Sequence, residues 1–171
     1  GKDAKTAAAH LTQGGEISRP EEMLEDEYLR RWLRARNWEV DVAARCIVSH
    51  AEWRVGMMPN GCIPAADIAN ELATEKTYLL GTDKDGRAVL LIQARKHGAW
   101  SRKLDELERY CCYLLDAAVA ACDAARNPRR HIAVILDLTD MGMSNMDVQA
   151  VQALFKLLGA HYVERLGQMV M

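Results

Sequence analysis

The chain has 171 residues, half of them hydrophobic, which suits one domain or a helical lead joined to one α/β unit. With 27% charged residues and that apolar content, global disorder is excluded. A net charge of -2 and a pI near 6.2 exclude the basic surface that non-specific nucleic-acid binding requires.

Residues 1–17 read as a disordered tail ending in Gly14-Gly15, with an organelle-import remnant as the alternative. No apolar h-region opens the chain, so no secretory signal is expected. Ser18 begins the first helix, with Glu21 completing a capping box. Acidic Glu21 to Glu27 lie near its positive end. Arg30, Arg31, Arg34 and Arg36 lie near its negative end, and Asn37 stops it. Arg30 and Arg31 read as solvated. A second helix is predicted over 41–55 from Ala43, Ala44, Ile47, Val48, Ala51 and Val55. Pro59 to Gly61 break it, and a short helix covers 67–73. Residues 18–75 thus form a helical module, and 76–171 an α/β unit.

That unit opens with a short strand over 77–80. The Asp83-Lys84-Asp85-Gly86 turn follows, then a strand over 88–94, which together make a hairpin. A helix over 104–126 is marked by the stripe Leu104, Leu107, Cys111, Leu114, Leu115, Ala118 and Cys122. Residues 132–138 are nearly all apolar and read as a strand buried on both faces. A helix over 147–160 and a strand from Gln168 complete the order. It predicts a mixed or parallel sheet flanked by helices, behind a helical lead.

Candidate chemistry is sparse. Gly81 to Ala88 approaches a phosphate loop, but Arg87 replaces its lysine, Ala88 its hydroxyl, and a strand follows instead of a helix. The hairpin is the better reading. Asp137 ends an apolar strand but has no partner carboxylate at Thr139, so a local loop bond is expected. The serines sit in no nucleophile elbow, and no catalytic residues are assigned. The five cysteines lack a C-x-x-C pair, and the five histidines lack ligand spacing. No disulfide, metal or cofactor is therefore expected, and reduced thiols suit a cytoplasmic setting. The stretch Tyr110 to Cys122 is interrupted by Asp116 and is too short to span a bilayer. Trp32, Trp38 and Trp53 read as core or interface anchors, with a membrane boundary as the sharper reading.

Four segments together resemble the Sec14-like, or CRAL-TRIO, family of lipid-binding domains. They are Leu29 to Val40 with His50 to Arg54, Gly81 to Val89, Ile132 to Leu138, and His161 to Gly167. The resemblance runs over 18–171 and covers the first part of a typical family domain. It implies a CRAL-TRIO-like α/β fold, here without the remaining sheet floor and gate helix. It also implies an apolar pocket holding one lipid without chemical turnover. Arg36 matches an arginine that approaches a phosphoinositide headgroup. Leu90 and Ile92 match pocket-facing strand positions, and Met141, Met143 and Ser144 belong to a loop bordering the pocket. Val163 and Ala88 stand where the family carries proline. Leu79 and Leu90 stand at tyrosine positions of phosphatidylcholine binders, which disfavours that lipid. The expected partners are a phosphoinositide or other hydrophobic lipid and, transiently, a membrane surface, with exchange between membranes as the function. The alternative is a non-catalytic subunit whose open sheet edge is completed by a protein partner.

Overall fold

A computed structural model describes residues 25–171. The predicted tail and the Ser18 capping box lie outside these residues. Helix α1 runs from Asp26–Arg34 and α2 from Val40–Met57. Between them Asn37 and Trp38 take positive φ, of 51° and 63°. The chain therefore turns at Asn37, as read, but the helix ends before Arg36. A 3-10 turn, Ala65–Ile68, leads into the short α3, Ala69–Ala73.

The sheet order is β1-β2-β3-β4, with β1 at Thr77–Thr82, β2 at Ala88–Gln93, β3 at Ile132–Asp137 and β4 at Leu166–Val170. β1 pairs with β2 antiparallel; the other two pairings are parallel. The hairpin turn explains why Gly81 to Ala88 is no phosphate loop. Asp83 accepts from the amides of Asp85 and Arg87 at 2.9 and 2.8 Å, and Arg87 Nε donates back to Asp83 Oδ2 at 2.7 Å. The candidate anion ligand is thus spent inside the turn. Gly86 sits at φ 79°, and a Cβ there would meet Asp123 and Arg126, so glycine suits the turn twice over.

Helix α4, Leu104–Ala121, crosses from β2 to β3, and α5, Val148–Ala160, from β3 to β4. The predicted α4 was five residues longer. It ends at Ala121 because Cys122 is extended (ψ 141°), and Asp123 then caps a turn through the amides of Ala125 and Arg126. α4 is buried nearly all round. Leu107, Leu114 and Leu115 join Leu90, Ile132 and Val134 of the sheet in the core, which also takes in Met58, Ile63 and Ile68 from the helical lead. At about 25 cal/mol per Å² of apolar area, this sandwiched helix is the main hydrophobic tie between lead and sheet.

Strand β3 is buried on both faces only over Ile132, Ala133 and Val134; Ile135 is 37% exposed. Reading it as fully covered was an overstatement. Its face away from the helices carries Ile135 beside Leu91 of β2 and Val170 of β4. Arg31 is a second correction. It is buried rather than solvated, and its Nη1 donates to the Val163 carbonyl at 3.0 Å. Trp32, also fully buried, packs with Ala43 and Val163 in a smaller cluster. Trp38 is 60% exposed and anchors nothing in the core.

Candidate functional site

The strand face toward α4 and α5 does not close completely against them. A cavity of about 260 Å³ remains, floored by Leu90 and Ile92 of β2, Val134 and Leu136 of β3 and Met169 of β4. Tyr110, Cys111 and Leu114 of α4 and Val151, Leu154 and Leu158 of α5 form the opposite wall. Period-two alternation puts Leu90 and Ile92 on the same face, in register with Val134 and Leu136. These walls are almost purely apolar, and burial pushes the Cys111 thiol up to about 12, so it lines the space as an unreactive group.

One end is polar. Lys76, Thr77, His97, Asn145 and Asp147 gather where β1 begins and where β2 and β3 finish. Open α/β sheets commonly receive ligands beyond the carboxyl ends of their parallel strands. Asp147 organises this end. It caps α5 by accepting from the Ala150 amide at 2.9 Å and takes Arg102 on both oxygens at 2.6 and 2.9 Å. The Arg102 guanidinium, the Ala150 amide and His97 hold the Asp147 carboxyl well below the usual carboxylate range. Asn145 donates to the carbonyls of Arg95 and His97 at 3.0 and 2.8 Å, tying the loop after β3 to the end of β2.

Of the residues singled out in the sequence, Leu90, Ile92 and Met141 line this cavity. Met143, 84% exposed, and Ser144 follow Met141 in the same loop but face solvent. Arg36 lies elsewhere, in a cleft with Arg45, Cys46, Ser49, His50 and His161, between α2 and the end of α5. Its Nε meets Cys46 Sγ at 3.2 Å, and its Nη2 donates to the Gly159 carbonyl at 3.4 Å. The structure therefore separates the basic candidate from the apolar ones. Lys76, His97 and Asp147 went unnoticed in the sequence. A lone lysine before a β-prone run and a histidine after a strand carry no periodic signal, and Asp147 registered only as a helix start.

Asp137 behaves as expected of a strand-end carboxylate. It accepts from the Thr139 amide at 3.0 Å and from Arg95 at 2.8 Å, and the Thr139 and Arg95 bonds hold it down to about 2. No group of His, Cys, Asp or Glu among the described residues is arranged to hold a metal ion. No helix among them is long and apolar enough to cross a membrane.

A mixed sheet with helices over one face encloses an apolar cavity with a polar end, the form that sites for small hydrophobic molecules commonly take. The CRAL/TRIO domain family model matches residues 72–171, and the chain belongs to this family of lipid-binding domains. A CRAL-TRIO domain-containing protein of Schizosaccharomyces pombe is 31% identical over 153 residues, covering 85% of this chain and 34% of that protein. A phosphatidylinositol transfer protein of Eremothecium gossypii is 26% identical over 159 residues, covering 84% and 35%. The chain thus spans about a third of the length of these relatives. Among solved structures, the crystal structure of Sfh5 superimposes with a TM-score of 0.66 at 14% identity, over 98% of this chain and 64% of that one, which is a likeness of fold.

Proposed function

We propose that this chain holds one hydrophobic lipid between its sheet and helices α4 and α5 and exchanges it between membranes, without catalysing a reaction. The observation carrying this reading is the apolar cavity walled by Leu90, Ile92, Val134 and Leu154. Each methylene moved into such a space contributes about 0.8 kcal/mol, so a short run of chain outweighs the cost of ordering it. A phosphoinositide is one candidate ligand, supported by the name of the Eremothecium relative. Its headgroup phosphate would fall to Arg36, whose planar fork suits that geometry. Met143 and Ser144 would then border the entry. Two proposals on organisation go with this reading: residues 18–75 act as a helical module that docks on the α/β unit, and the protein works at membrane surfaces from a cytoplasmic setting.

Transfer of labelled lipid between vesicles tests the proposal. Exchange above the spontaneous rate is expected, and its absence for phosphoinositides and neutral lipids alike would contradict it. Arg36→Ala is expected to lower phosphoinositide transfer about tenfold, as for one lost charge-assisted bond, and to spare neutral lipids. Unchanged phosphoinositide transfer would remove Arg36 from the headgroup site.

A second reading, that of a non-catalytic subunit in a larger assembly, draws on the far face of the sheet. Leu80, Ile135 and Val170 are 55%, 37% and 48% exposed there. Stable co-purification with protein partners, in the absence of lipid, would favour it.

A further inference from the structure

The polar end of the cavity has more internal order than a simple mouth would need. Lys76 is only 5% exposed, and a buried ammonium persists only where it is paired. Its partner is the equally buried Glu71 of α3, whose Oε2 takes a very short hydrogen bond from Nζ. Nζ also lies 3.1 Å from Nδ1 of His97. An ammonium has donors and no acceptor, so Nδ1 receives this bond. The ring proton then sits on Nε2, which donates to Asp147 Oδ2 at 3.0 Å. The charge of Asp147 is met by Arg102. Two carboxylates and two cations therefore close this end at zero formal charge.

Donor capacity remains. Among the described residues Glu71 and His97 accept from Nζ, which leaves the third N–H of Lys76. Beside it on the cavity wall are Thr77 and Tyr110, with the Tyr110 ring 5.4 Å from Nζ. We propose that this end of the cavity is a recognition site for one uncharged oxygen group, a hydroxyl or a carbonyl, carried into the fold by the bound lipid. The inference rests on the lipid-holding reading and, within it, favours a neutral lipid over a phosphoinositide as the occupant. An alkane would leave the Lys76 donor unmet. A phosphate would bring unbalanced charge against apolar walls where the existing charges already cancel. An alcohol or carbonyl oxygen accepts from Lys76 without either cost.

Equilibrium dialysis of the full chain against radiolabelled dodecane, dodecanol and dodecyl phosphate tests this. Dodecanol is expected to bind about tenfold tighter than dodecane, as one buried hydrogen bond provides, with dodecyl phosphate weakest. The double variant Glu71→Gln with Lys76→Met keeps the formal charge balanced. It is expected to bring dodecanol to the level of dodecane. Thr77→Val, which leaves every charge in place, is expected to narrow the same ratio and guards against a misfolded double variant. Equal binding of alkane and alcohol by the unaltered chain, tightest binding of the phosphate, or a ratio unmoved in both variants would overturn the inference. Binding of none of the three would instead bring down the lipid-holding reading on which it stands.

Discussion

His50 shows how much a single buried side chain settles in this protein. Its ring lies between Trp32 and Trp53, with centroids 5.3 and 5.6 Å away, and its Nδ1 is 3.2 Å from Nδ1 of His161. His161 in turn stacks on Trp53 at 3.7 Å. Burial, then Arg54, pulls the His50 imidazole down to about 3; burial, then Lys156, pulls His161 down to about 4. Both folded values lie below the unfolded value near 6.5, so the unfolded chain takes up protons first as pH falls. The stability these rings contribute is complete above about pH 6.5 and is lost as pH drops toward their folded values. For His50 the loss by pH 5 is about 2 kcal/mol. His50→Phe keeps the stacking and cannot titrate. Urea unfolding at pH 7 and pH 5 is expected to show a smaller fall in stability for the variant than for the unaltered chain. Equal falls would show that His50 does not carry the pH dependence.

Among the elements, α5 depends most on one polar residue. Asp147 caps it, pins Arg102 and fixes the His97 ring at the end of β2. Asn also caps helices well, so Asp147→Asn removes charge while leaving the cap. A loss of about 1.5–3 kcal/mol at pH 7 is expected, read from the urea midpoint. The difference should shrink as pH falls below about 4, where the native carboxylate loses its advantage over the unfolded one. A difference that does not shrink between pH 4 and pH 2 would place the effect in packing instead. The limits of sequence reading also show at this scale. The stripe of α4 and the apolar run of β3 were legible because periodicity registers burial directly. The early end of α4 was not, since the residues beyond Ala121 remain favourable for a helix and only the Asp123 turn stops them. Arg31 was misread because charge at a helix end ordinarily faces water, and the Val163 carbonyl that buries it is 132 residues away.

Across the whole molecule, the order of strands and helices decides where a ligand can go. Both crossover helices cover one face of the sheet, so the cavity lies between that face and α4 and α5. The sequence motifs led to the CRAL/TRIO family and to three of the cavity's wall positions. The polar end was beyond them, because Glu71, Lys76, His97 and Asp147 lie on four separate segments that only the sheet's topology brings together. Arg36 was legible as a phosphate-binding type of residue, yet its distance from Leu90 and Ile92 could not be read without the fold. Organic extraction of the purified, folded chain followed by mass spectrometry tests the central claim most directly. One lipid class, at close to one molecule per chain, is the result predicted. A folded chain that yields no lipid, and takes none up from vesicles, would contradict it.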